Sequence, residues 1–159
     1  MILKSFSKIN FSLKINKKIK SGIHDIESYF CLINLFDKIR IQKVKKKIDI
    51  IKFRGKFSKN IDNNKNSISE TLKTLRQNKL IKNYYSVVVD KKIPVFAGLG
   101  GGTGNAACLI EYFVKRKMNK NLFKILEKKI GSDLKLFFYK QGFLKSLKKE
   151  KTIKKKYNF

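Results

Sequence analysis

Glycine is scarce in this chain, with nine residues in 159. Arginine is scarcer: Arg40, Arg54, Arg76 and Arg116 are the only four among 39 basic residues. Bidentate recognition of phosphates and bases favours arginine, so the net charge of +28 is weak ground for a nucleic-acid partner. Lysine excess with abundant Asn, Ile and Phe is what A+T-rich codons (AAA, AAT, ATT, TTT) produce, and the charge is assigned to that bias. Only two cysteines occur, Cys31 and Cys108, without metal-like spacing. A zinc framework and a disulfide scaffold are therefore excluded, and both read as small buried hydrophobes in a reducing compartment. No run of 18 apolar residues exists, so no membrane span is expected. The start, MILKSFSKINFSLKI, alternates and carries no continuous apolar signal core, so a cytoplasmic location is expected.

What is present suffices for one domain: 42% hydrophobic residues, including 13 Phe and six Tyr, can fill a single core. In SKINFSLKI, residues Ile9, Phe11, Leu13 and Ile15 alternate with Lys8, Asn10, Ser12 and Lys14, the period of a half-buried strand. KIRIQKV and KIDIIKF are further strand candidates, and the polar stretch 58–66 reads as a loop. Ser67 and Glu70 form a capping-box pattern ahead of a helix whose apolar face is Ile68, Leu72 and Leu75. SVVVD (86–90) reads as a buried strand, 103–117 and 121–130 as helices, and Gly131 as a C-cap. Strands come first and mixed elements follow, so the fold class expected is α+β. Residues 1–143 form the expected domain and 144–159 a solvated lysine-rich tail.

Five of the nine glycines fall within 98–104, in IPVFAGLGGGTGNAACLI. A strand, a glycine run and a helix start make an anion cradle. Glycines let successive backbone N–H groups face one ligand, and the helix N-terminus adds unpaired donors. Neither the Walker pattern nor a complete dinucleotide fingerprint is present, so the loop by itself indicates a phosphate and nothing finer.

PVFAGLGGGTGNAA resembles the phosphate loop of the GHMP kinase superfamily, and within it the branch acting on a cytidine-diphosphate-linked sugar alcohol. SKINFSLKI, SGIHDIESYFCLINLFDKI and IGSDLKLFF resemble three further blocks of that branch, in the same order. The resemblance implies the fold of the GHMP N-terminal domain (that of ribosomal protein S5 domain 2), with the C-terminal GHMP domain missing. It implies an ATP- and Mg2+-dependent kinase for a small-molecule alcohol. Its nucleotide would be held by Pro94, Val95, Phe96, Ala97, Gly98, Leu99, Gly100, Gly101, Gly102, Thr103 and Gly104, with Asn66 and Lys91 near the adenine. Asp133 would activate the acceptor hydroxyl and Lys8 would stabilise the moving phosphoryl group. Asn10 and His24 would contact the substrate.

The chain departs from the pattern at several of these places. Phe96 replaces a glycine, Thr103 and Gly104 replace serines, Ile23 stands for a base-stacking Tyr, and Lys135 for a proline. Because the resemblance stops at one lobe, self-association or a complementary C-terminal half is expected. A non-catalytic remnant, another small-molecule GHMP kinase and a basic nucleic-acid-binding module of related fold stay open as alternatives.

Overall fold

The computed structural model describes residues 1–12, 14–18, 24–114, 118–144 and 152–153. The long strand β3 (His24–Val44) is the spine of the sheet. Strands β1 (Ile2–Asn10) and β2 (Lys14–Lys18) pair with it antiparallel. On the edge opposite β1, the first half of β3 carries β6 (Gln141–Leu144), and its second half carries β5 (Tyr84–Asp90). Strand β4 (Ile50–Arg54) lies parallel to β5. Parallel neighbours need a crossover, and helix α1 (Ser67–Gln77) supplies it. Helices α2 (Gly101–Val114) and α3 (Lys120–Ile130) follow, then a 3-10 helix over Ser132–Phe138. The architecture is α+β, as expected.

One apolar layer joins sheet and helices. Ile39, Val87 and Val89 of the sheet are fully buried with Ile68, Leu72 and Leu75 of α1, Leu109 and Ile110 of α2, and Leu126 of α3. The face expected for α1 is thus the buried one. Its cap differs by one residue. Asn66, not Ser67, is the N-cap, accepting from the N–H groups of Ile68 and Ser69, and Ser69 closes the box in place of Glu70. Gly131 ends α3 as expected, at φ 137°, a backbone that side chains rarely adopt.

The first strand departs further from its pattern. It stops at Asn10, Phe11 is exposed, and the buried positions are Ser5, Ser7 and Lys8. The register against β3 shifts between Phe6 and Ser7, so simple alternation fails there. KIRIQKV proves to be the end of a 21-residue strand. The boundary expected at 143 falls inside β6, whose last residue, Leu144, is buried. A short β7 (Thr152–Ile153) pairs with β6, and the rest of the tail lies outside the described residues. So do Ile23 and the end of the helix expected to reach 117.

Candidate active site

The glycine run sits between β5 and the first turn of α2. Residues 94–103 and Lys91 line a cavity of about 270 Å³. The loop runs along the edge of β1, where the Lys8 N–H donates to the Leu99 carbonyl at 3.0 Å. Helix α2 begins at Gly101, and the first N–H groups of a helix have no intrahelical partner, so the loop ends on free donors. The N-terminus of α1 is tied to the same place, with Ser67 Oγ donating to the Gly102 carbonyl at 2.7 Å. Sequence reasoning passed over Ser67 as a contact of the loop, because nothing local joins residues so far apart.

The close neighbours of the glycines are mostly protein. A Cβ on Gly100 would stand 2.6 Å from Phe137 Cζ, and one on Gly104 2.9 Å from Phe137 Cε1 and 3.0 Å from the Phe6 carbonyl. On Gly101 it would stand 3.0 Å from Ile93 Cγ2 and 3.1 Å from Lys91 Nζ. Only Gly98 and Gly102 have room. Three of the five glycines therefore let α2 and its loop press onto the sheet and the 3-10 helix. At Gly100, Gly101 and Gly104 the chain's own atoms already leave little room for a side chain.

Lys8 is 1% exposed, yet its ammonium is partnered. Its Nζ donates to Asn10 Oδ1 at 2.9 Å, and it lies 3.2 Å from Asp133 Oδ2. Period two along β1 puts Lys8 and Asn10 on one side, and the 3-10 helix after Gly131 delivers Asp133. The Asp133 side chain is 40% exposed, so this carboxylate faces outward while the lysine behind it is enclosed. A buried ammonium is tolerable only with such partners.

Lys91 has a different setting. It is buried and paired with the fully buried Asp37 of β3, whose Oδ1 also accepts from the N–H groups of Lys92 (2.8 Å) and Ile93 (2.9 Å). Lys91 thus lies under the first turn of α2. Asp37 was not among the expected site residues, although it closes the Leu35-Phe36-Asp37 end of the second block. Asn66 spends its side chain on capping α1 and on the carbonyls of Asp62 and Asn63. His24 opens β3 opposite Lys18, and its side chain lies outside the described residues. Phe96 has φ 60° and is 97% exposed at the mouth of the loop.

Both cysteines are partly buried and free. Burial, followed by the nearby Glu111 carboxylate, pushes the Cys108 thiol up to about 11, and its Sγ donates to the Lys4 carbonyl. No helix among the described residues is long and apolar enough to cross a membrane.

The fold that carries these residues is similar to that of solved small-molecule kinases. A mevalonate kinase from Methanococcus jannaschii superposes with a TM-score of 0.62 at 20% identity, over 98% of this chain and 56% of its own. A solved 4-(cytidine 5'-diphospho)-2C-methyl-D-erythritol kinase superposes with a TM-score of 0.72 at 18% identity, over 98% of this chain and 55% of its own. The fold is therefore shared with about half of each of these kinases. By sequence, the chain is similar to the N-terminal half of 4-diphosphocytidyl-2-C-methyl-D-erythritol kinase. That enzyme from Pelagibacter ubique (strain HTCC1062) is 43% identical over 136 residues, which are 83% of this chain and 48% of the relative. The enzyme from Ureaplasma parvum serovar 3 is 35% identical over 149 residues, 91% of this chain and 56% of the relative. The chain spans about half the length of the curated relatives it matches. No family model matches it.

Proposed function

We propose that this chain is the nucleotide-binding lobe of a cytoplasmic kinase that transfers the γ-phosphoryl group of MgATP to the 2-hydroxyl of 4-diphosphocytidyl-2-C-methyl-D-erythritol. The observation that carries this reading is the contact of Lys8 with Asp133 and Asn10 on a strand whose backbone is bonded to the glycine loop. Phosphoryl transfer depends on positioning and on stabilising charge, and little covalent chemistry is asked of the protein.

The N–H groups at Gly101, Gly102 and Thr103 are placed to receive the phosphates, and the Thr103 hydroxyl stands at the same helix start. Magnesium arrives as part of the MgATP substrate; no cluster of three His, Cys, Asp or Glu side chains that could hold a metal by itself occurs among the described residues. The half-exposed Asp133 carboxylate takes the proton of the acceptor hydroxyl. Lys8, held against it and against Asn10, supplies fixed positive charge beside the transferring group, at no cost of reorganisation. Lys91 acts from beneath the loop, supporting Gly101 while paired with Asp37. His24 and Asn10 lie on the strands that would face the cytidine-linked substrate.

Hydrogen exchange with and without MgATP tests the nucleotide part, and transfer of labelled γ-phosphate to the diphosphocytidyl substrate tests the reaction. Protection of the amides over 97–107 by MgATP is expected. Equal exchange at saturating nucleotide would refute the reading.

A further inference from the structure

We propose that Phe96 is a stacking platform for the nucleobase of the bound nucleotide, a specificity element particular to this chain; the inference rests on the reading that the glycine loop holds ATP. Three observations converge on it. Phe96 holds φ 60°, a left-handed backbone that glycine adopts freely and that is a genuine outlier for a bulky side chain. The residue is 97% exposed and its ring touches no other ring among the described residues, so little packing among those residues offsets that strain. And Phe96 lines the same cavity of about 270 Å³ as Gly101, Gly102 and Thr103.

The rest of that cavity tells which part of a nucleotide is left for Phe96. Its polar side chains are Lys91 and Thr103, both toward the helix start, where the phosphates belong. Its other side chains, Pro94, Val95, Phe96, Ala97 and Leu99, are apolar and precede the helix, and Val95 is also exposed. An apolar lining with one flat ring suits a planar base and offers nothing to a phosphate. Stacking on an aromatic face is tolerant of base identity, so the ring adds affinity for nucleotides in general over inorganic polyphosphates.

The experiment is calorimetric titration of the full 159-residue chain with ATP and with inorganic tripolyphosphate, comparing wild type with Phe96→Leu and Phe96→Gly. Phe96→Leu keeps the strained backbone and the apolar bulk and loses the aromatic face; Phe96→Gly relieves the strain as well. The expected result is ATP affinity lower by about tenfold in both variants, with tripolyphosphate affinity unchanged. Fluorescence of 1,N6-etheno-ATP, quenched by stacking in wild type, should recover in both. ATP affinity unchanged or improved in Phe96→Leu overturns the platform while leaving ATP in the loop. A parallel loss for ATP and tripolyphosphate overturns it too, since the ring would then shape the loop and not meet the base. If wild type binds neither ligand, the nucleotide reading itself fails.

Discussion

The Lys8 ammonium lies 3.2 Å from the Asp133 carboxylate, joining the first strand to the last helical turn of the domain. One partner is enclosed and the other is half exposed, which separates their expected roles. Asp133→Asn should leave ATP affinity near that of wild type and lower turnover by about 10²–10⁴-fold, because in the proposed reaction the carboxylate acts on the acceptor and not on the nucleotide. Parallel titration and rate measurements check it. Loss of ATP binding in Asp133→Asn would place this residue in the nucleotide site instead.

Phe137 stands where a Cβ on Gly100 or Gly104 would be. Gly104→Ser should therefore destabilise this chain, by about 1–3 kcal/mol as overpacking. Phe137→Leu should relieve part of that cost, the Phe6 carbonyl at 3.0 Å keeping the rest, and a double-mutant cycle in denaturant should show coupling above about 0.5 kcal/mol. Additive effects would mean that the Gly104 contact relaxes elsewhere.

The buried pair of Asp37 and Lys91 is asymmetric in what it holds. Asp37 also accepts two backbone N–H groups at the start of the loop, and Lys91 backs Gly101. Removing either charge strands the other, so Asp37→Asn and Lys91→Met should each cost about 3–5 kcal/mol in chemical denaturation. Asp37→Asn should additionally speed amide exchange at Lys92 and Ile93.

Cys108 tests the burial of α2 against β1. Desolvation, with Glu111 adding to it, raises its folded-state pKa to about 11, so thiolate is disfavoured below that value. The raised pKa means the neutral thiol is the form the fold accommodates; its contribution to stability is present at neutral pH and lost as pH rises toward 11. At pH 8, alkylation by iodoacetamide should be slow in the native chain and fast after unfolding. Glu111→Gln should accelerate the native reaction modestly, since the carboxylate is the lesser cause.

Periodicity found the core helix face and the edge of α3, because Ile68, Leu72, Leu75 and Gly131 obey rules that act within one turn. It misread the first strand, where a buried lysine looks polar by residue type and is enclosed only by a loop and a turn far along the chain. The same limit explains Asp37 and Ser67. Each acts through a backbone group that another element brings to it. The glycine run was located correctly and its cause was only half legible. Spacing cannot tell a glycine kept clear for phosphate from one kept clear for Phe137. Phe96 shows the reverse: a residue that breaks the local rule, with the reason outside the fold's own packing.

Turnover by these 159 residues alone should be poor. A phosphoryl-transfer site must hold nucleotide and acceptor together, and the residues assigned here form one wall: the glycine loop, Lys8 and Asp133. Asp133 is 40% exposed, and nothing among the described residues covers it. The relatives that match this chain have about as much sequence again outside the match. The surface also carries Phe6 and Phe138, 36% and 37% exposed, on the rim of a second cavity of about 550 Å³. Apolar surface of this kind favours association. We therefore expect the purified 159-residue chain to bind ATP weakly, to self-associate in sedimentation velocity, and to phosphorylate the diphosphocytidyl substrate at a small fraction of a relative's rate. Adding the separately expressed C-terminal half of the Pelagibacter ubique enzyme should raise that rate and shift the association toward a one-to-one complex. Full turnover by a monomer of this chain would show that its own surface closes the site, and would move the acceptor wall onto the strands near His24.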